Sequence, residues 1–211
     1  MKYKLFHIKV KDLVFWSLAI ITSAIMSCSN TDSLITDPEV VRQDSINQSI
    51  LDNQAIDDYI AAKGFAYVFS SSTGIRYVFL KEGNGQTPNL NDIVSIDYVG
   101  KNLSDVVFDT SNTQAAIDAE IYTEGRSYSP IRFNLTSNGS GLAGFVSGFL
   151  EGVTKILLET DDNGQRLMTT GGKALLLIPS VLAYGDTGTS NAVVPANTVI
   201  AFEITLVSVR P

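Results

Sequence analysis

KALLLIPSVLAYGDTG, residues 173 to 188, begins as an apolar run and breaks at a proline. The run ALLLI has the length of a buried strand. Pro179 lacks the N–H group that a strand ladder requires, so the strand cannot continue through it. The sequence therefore predicts a core strand and then a turn that ends at Tyr184 and Gly185.

Other short runs rich in branched and aromatic residues surround this strand, and Gly, Asn, Pro and Ser separate them. They are FAYVFSSS, GIRYVFLKEG, DIVSIDYVGK, PIRFNL and NTVIAFEITLVSV. In the third run, apolar Ile93, Ile96 and Tyr98 roughly alternate with polar Asp92, Ser95 and Asp97, as in a half-buried strand.

Among the later segments, only GFVSGFLEGV, residues 144 to 153, has the pattern of a helix. Strands that dominate beside one short helix favour an α+β domain, in which an antiparallel sheet is covered by that helix. Asn112–Ser129 and Thr154–Thr170 are polar and are interpreted as inserted surface loops or hairpins.

The N-terminal 27 residues have the pattern of a targeting segment. Four lysines precede an apolar run from Leu13 to Met26, which as a helix would rise only about 21 Å, less than a bilayer core. A cleaved signal peptide is therefore predicted. Ile25-Met26-Ser27-Cys28 resembles a bacterial lipobox, which implies lipidation of Cys28, the sole cysteine. An uncleaved anchor and a plain signal peptide are the alternatives.

Residues 28–37 are mostly small and polar and are predicted to form a tether. Residues 38–64 are predicted to form a helical extension, with a helix from about Glu39 to Ala62 that stops at Gly64. Its apolar face is predicted to contain Ile46, Ile50, Ile56 and Ile60. Packing on its own domain is preferred to a dimerisation helix, and the oligomeric state stays open.

Charge and composition exclude several kinds of function. Loss of residues 1–27 removes four lysines and Asp12, which moves the net charge from −7 to −10. An acidic chain is a poor ligand for nucleic acid. His7, the only histidine, leaves with the signal, and Cys28 would be blocked by lipid. We therefore expect no histidine-dependent triad, no cysteine nucleophile, no metal site and no cofactor.

Six motifs occur in a definite order: DYVGK, VFDTS, PIRFNL, FVSGFLEGV, IPSVLAYG and VVPANTVIAFEITLVSV. Together they resemble the FKBP-type peptidyl-prolyl cis/trans isomerases over about residues 74–210. The resemblance implies a bent antiparallel sheet wrapped around one short helix, with an apolar pocket between them. It places an isomerase domain at residues 65–211.

The resemblance also implies the site residues. Polar groups at the rim and aromatic residues beside them would act on the bound amide: Asp109, Tyr184, Tyr98 and Phe108. Other residues would line the substrate pocket: Phe133, Ile131, Val146, Phe149, Val193, Val194 and Phe202. Phe149 stands at the floor, where the family usually has tryptophan, and Ile131 stands where an aromatic residue is common.

The function implied is isomerisation of X-Pro bonds in exported envelope proteins. Proline-containing polypeptides would be the clients, and macrolide inhibitors are candidate ligands. The protein would be lipid-anchored in the bacterial envelope, at the outer membrane facing the periplasm. The alternatives are a non-catalytic peptide-binding protein or chaperone, and a structural lipoprotein of a motility or secretion assembly.

Overall fold

The computed structural model of the protein describes residues 38–66, 68–137, 142, 144–190 and 192–211. The predicted signal, tether and lipidation site Cys28 lie outside these residues. Pro38–Pro211 forms one compact unit. No helix within the described ranges is both long and apolar enough to cross a bilayer.

The sheet has seven strands, and every pair is antiparallel. The strands are β1 (Phe69–Ser70), β2 (Arg76–Lys81), β3 (Ile93–Asn102), β4 (Val107–Thr110), β5 (Ile131–Asn134), β6 (Lys173–Ile178) and β7 (Ile200–Arg210). Their order is β1-β2-β6-β7-β3-β4, and β5 also pairs with β3. The helices are α1 (Pro38–Lys63), α2 (Thr113–Asp118) and α3 (Ser147–Leu158). The predicted α+β class is confirmed.

Strand β6 is apolar without alternation because both of its faces are covered. Leu176 belongs to the main core, which also contains the buried face of α3. Leu175 and Leu177 point the other way, into a second cluster with residues of α1. Since successive side chains of a strand alternate in direction, a strand between two helices needs apolar residues at every position. The sheet is therefore sandwiched between α3 and α1.

Helix α1 is present as predicted, and its predicted apolar face is half right, since Ile56 and Ile60 pack on the second cluster whereas Ile46 and Ile50 are exposed. Ile56 is fully buried, whereas Ile50 is 62% exposed. Six residues turn a helix by about 600°, so these two side chains point in very different directions. The buried residues of this face are Asp52, Ile56 and Tyr59, and Ile60 is partly buried beside them.

The C-terminal end of α1 is fixed in three ways. Gly64 has a left-handed φ of 70° and follows the helix as predicted. The Phe65 N–H donates to the carbonyl of Ile60 at 3.2 Å, which closes the last turn. Lys63 then bonds Asp105 in the β3–β4 turn at 2.7 Å. Hydrogen bonds from Lys101 and Lys63 lower the pKa of Asp105 to about 2.

The short helix starts later and runs further than predicted, from Ser147 to Leu158. The apolar spacing of Val153, Ile156 and Leu157 continues its buried face, so the first five residues of the predicted insertion 154–170 are helical. The other predicted insertion also contains a helix, α2, which was not predicted from the sequence. Its signal is Asn112, whose side chain accepts from the Ala115 N–H at 2.9 Å as an N-cap.

The alternation predicted for β3 holds only in its second half. Ile96 and Tyr98 are buried and Asp97 is half-buried, but Ser95 and Asp92 are buried as well. The register against β7 shifts between Ser95 and Ile96. The extra residue is Val207, which lies in β7 and is exposed like its neighbour Ser208, so this bulge interrupts the alternation of β7 and not that of β3.

Candidate active site

A cluster of aromatic rings lies between α3 and the sheet. Phe149 enters it from α3, Tyr98 from β3 and Phe202 from β7. The ring centroid of Phe149 is 4.7 Å from that of Phe202 and 5.9 Å from that of Tyr98, both edge to face. These are the preferred separations of aromatic pairs. The structure therefore brings together three residues that the sequence placed in one pocket.

Phe108 and Tyr184 extend this cluster toward the surface. The Phe108 ring is perpendicular to Phe202 at 5.8 Å and to Tyr184 at 6.3 Å. Gly100 makes this approach feasible, because a Cβ there would lie 2.7 Å from Phe202 Cε1 and 3.0 Å from Phe108 Cε2. A side chain at position 100 would displace both rings.

Asp109 is held at the edge of the cluster by donors from three places. The Tyr98 hydroxyl donates to Asp109 Oδ2 at 2.8 Å. The Thr110 N–H donates to Oδ1 at 2.9 Å, and the Arg126 guanidinium makes a salt bridge to the same oxygen. Charge-assisted hydrogen bonds of this kind fix the direction of a carboxylate. Asp109 is therefore oriented before any ligand arrives.

Both tyrosines of the site stay protonated at neutral pH. Burial raises the pKa of Tyr98, and the neighbouring Asp109 charge raises it further. Burial also raises the pKa of Tyr184, again with a contribution from Asp109. Within the part of the chain that the structure describes, no residue hydrogen-bonds to the Tyr184 hydroxyl. Among the described residues, that hydroxyl is thus a donor without a partner beside an apolar surface.

Two residues of this site were not predicted from the sequence. Arg126 carries no local signal, because it lies in a segment interpreted as an insertion and meets Asp109 only through folding. Phe145 could have been found from the sequence, because it precedes Phe149 by four residues. At that spacing two aromatic side chains on a helix lie next to each other. Its ring stacks on Phe149 with centroids 4.4 Å apart and is perpendicular to Tyr98 at 5.5 Å. As a result Phe149, the predicted floor, is 0% exposed.

The other predicted residues are spread around this cluster. Phe133 and Val194 are buried in the same core, and Ile131 and Val146 are half-buried against it. Val146 also caps α3, since its carbonyl accepts the Phe149 N–H at 3.0 Å. Val193 differs from the rest because its side chain is 52% exposed.

A separate groove of about 480 Å³ lies away from the aromatic cluster. It is formed by α1, the β3–β4 turn and the segment before β7, and Leu51, Leu103 and Val199 contribute its apolar surface. In the described ranges, no group of three or more His, Cys, Asp or Glu side chains is placed to hold a metal ion.

Comparison with known proteins identifies relatives of this chain. FKBP-type peptidyl-prolyl cis-trans isomerase FkpA of Escherichia coli (strain K12) is 28% identical over 177 residues, which are 81% of this chain and 53% of the relative. Peptidyl-prolyl cis-trans isomerase Mip of Coxiella burnetii is 29% identical over 139 residues, 66% of this chain and 46% of the relative. The chain thus spans about half the length of the curated relatives it matches.

A solved structure, the crystal structure of FkpA from Escherichia coli, matches with a TM-score of 0.46 and 25% identity over 82% of this chain and 67% of that chain. Residues 84–207 match the family model described as FKBP-type peptidyl-prolyl cis-trans isomerase. That range is more than half of the chain and contains every residue of the aromatic cluster. The chain belongs to the family of FKBP-type peptidyl-prolyl cis-trans isomerases.

Proposed function

We propose that this protein is a peptidyl-prolyl cis/trans isomerase that acts on exported, proline-containing polypeptides. The observation that carries the proposal is the Asp109 carboxylate, held by Tyr98 and Arg126 at the edge of the aromatic cluster. Family membership points to the same reaction, and the related proteins are named, at full length, as peptidyl-prolyl cis-trans isomerases.

The chemistry requires little more than an apolar surface and a few donors. Rotation about an X-Pro bond has a barrier of about 18–20 kcal/mol because amide resonance is lost on twisting. A site that excludes water favours the twisted amide over the planar amide, which water solvates better. Oriented donors then hold the carbonyl in the geometry of the twisted state.

The residues divide these tasks among them. Phe149 forms the surface on which a prolyl ring stacks, with Tyr98 and Phe202 beside it. The Tyr184 hydroxyl donates to a substrate carbonyl, as does the Val146 N–H at the start of α3. The remaining predicted residues complete the walls of the pocket and the loop beside it: Phe108, Ile131, Phe133, Val193 and Val194.

The proposal is tested by a protease-coupled assay on peptides with a single X-Pro bond. The purified protein is expected to accelerate isomerisation in proportion to its concentration. A rate equal to the uncatalysed rate at every protein concentration would remove the enzymatic function.

Phe145 has to leave the floor before a prolyl ring can stack on Phe149. An aromatic pair of this kind contributes about 0.5–1.5 kcal/mol. Phe145→Ala removes the competing ring and is therefore expected to lower KM by about 2- to 10-fold with little change in kcat. KM and kcat are measured separately in the same peptide assay.

Tyr122→Ala is the matched control for Phe145→Ala. Tyr122 stacks on Tyr128 with centroids 5.5 Å apart, and Tyr122 is exposed at the surface. This variant also loses one aromatic stack, and its KM is expected to stay at the wild-type value. A higher KM in Phe145→Ala would mean that Phe145 contacts the substrate and does not compete with it.

The anchor is a further part of the proposal. The lipobox-like sequence that ends at Cys28 supports attachment to the envelope through lipid, with the tether 28–37 and the extension 38–64 between the membrane and the isomerase domain 65–211. The outer membrane facing the periplasm is the proposed location. Mass spectrometry of the mature N-terminus decides this, since an unmodified cysteine would exclude the anchor.

A non-catalytic chaperone is the second candidate, and the covered floor Phe149 favours it. Such a protein binds apolar segments of unfolded chains without twisting an amide. It is expected to suppress aggregation of a proline-free client while it fails the peptide assay. Isomerase activity in the peptide assay would by itself be enough to reject this candidate.

A further inference from the structure

Asp52 is a buried carboxylate that the proposed reaction does not use. It lies in α1, on the face toward the sheet, and is 2% exposed. Removing a carboxylate from water is costly unless hydrogen bonds replace the lost hydration. The hydrogen-bond donors around Asp52 therefore indicate which part of the fold this carboxylate stabilises.

The partners of Asp52 lie in the turn that follows β6. Asp52 Oδ2 accepts from the Ser180 N–H at 2.7 Å and from the Ser180 hydroxyl at 2.7 Å. Oδ1 accepts from Gln48 Nε2 at 2.7 Å, one helical turn earlier. Ser180 is itself 1% exposed, so neither of its donors has water as a substitute. One carboxylate thus holds both polar groups of Ser180.

Ser180 in turn fixes the backbone around Tyr184. Its carbonyl accepts the Ala183 N–H at 2.9 Å and the Gly185 N–H at 2.8 Å. The Gly185 carbonyl accepts the Asn197 N–H at 2.7 Å. The residues on both sides of Tyr184 are therefore bonded to Ser180, and a shift of Ser180 would move the Tyr184 hydroxyl.

We propose that Asp52 is a positioning residue for the isomerase site, which it serves by holding Ser180 and through it Tyr184. This role rests on the proposed function. It makes the N-terminal helix part of the catalytic apparatus, because the bond that orients the site spans 128 positions of the chain. The helix is then more than a spacer between the membrane and the domain.

The test compares Asp52→Ala with the conservative variant Asp52→Asn. Alanine leaves both donors of Ser180 buried without an acceptor. Asparagine keeps an acceptor for Ser180, and its amide group can donate to Gln48 once the Gln48 amide is reversed. We expect kcat/KM to fall about tenfold in Asp52→Ala, and Asp52→Asn to remain within about threefold of wild type.

Asp58→Ala is the matched control. Gln54 Nε2 donates to Asp58 Oδ1 at 2.8 Å, the same pairing as that of Gln48 with Asp52, but on the exposed side of the helix. Its kcat/KM is expected to equal that of wild type. The control separates loss of a helical aspartate from loss of the bond to Ser180.

A second readout separates positioning from stability alone. The amide resonance of Gly185 in ¹⁵N spectra, recorded well below the unfolding temperature, is expected to shift in Asp52→Ala and to stay in place in Asp58→Ala. Should Asp52→Ala fail to fold, Ser180→Ala removes only the hydroxyl bond and is expected to lower kcat/KM about threefold.

The outcomes distinguish this role from the proposed function. An active wild type beside an equally active, folded Asp52→Ala would overturn the role of Asp52 and leave the isomerase intact. An unshifted Gly185 resonance would overturn it as well. An inactive wild type would overturn the proposed function, and the role of Asp52 in that reaction with it.

Discussion

Replacing Asp109 with alanine is expected to lower kcat/KM on an X-Pro peptide by about a hundredfold, the loss that follows when a positioning group is removed. The change takes away the acceptor of the Tyr98 hydroxyl and the partner of Arg126. Arg126 is then free to turn into the site, and the hydroxyl of the buried Tyr98 is left without its acceptor. Arg126 is exposed and gains water, so the protein is expected to stay folded.

Two variants show which property of Asp109 matters. Asp109→Asn keeps an oxygen for Tyr98 but not the charge that Arg126 pairs with, so its activity is expected to lie between those of wild type and Asp109→Ala. Asp118→Ala removes an exposed aspartate of α2 that bonds only Gln114 among the described residues, and it is expected to be fully active. Wild-type activity in a folded Asp109→Ala would show that the reaction occurs elsewhere.

Phe149→Ala is expected to lower the free energy of unfolding by about 3–5 kcal/mol, the usual cost of deleting a fully buried phenylalanine. The ring has no exposed surface and contacts three other aromatic residues, Tyr98, Phe145 and Phe202. Urea unfolding measures the loss as a lower midpoint with an unchanged slope. Activity is expected to be lost as well, because the proposed stacking surface for proline is gone.

Phe65→Ala is the control for this deletion. Phe65 packs half-buried on the opposite side of the sheet, 6.5 Å from Tyr59. It is expected to cost about 1 kcal/mol and to leave kcat/KM unchanged, since less apolar surface is involved and the site is not touched. A larger loss of stability in Phe65→Ala than in Phe149→Ala would contradict the packing described for the main core.

Features that rest on neighbouring residues could be predicted from the sequence. The break at Pro179 depends on a missing N–H, and the end of α1 depends on the left-handed freedom of Gly64. The order of six short motifs identified the family, and it named most of the aromatic residues that the fold brings together. The limits of α3 were less accurate because its buried face continues with Ile156 and Leu157 into a segment that was interpreted as a polar insertion.

Only the tertiary structure decided the contacts that orient the site. Arg126 meets Asp109 across an irregular segment, Phe145 covers the floor, and Asp52 reaches Ser180 from the other end of the chain. None of these produces a periodic pattern, because each depends on how two side chains approach after folding. The sequence by itself therefore determined the strands, the family and the candidate residues. The closed floor and the bonds that hold Asp109 and Tyr184 in place were set by packing between distant segments.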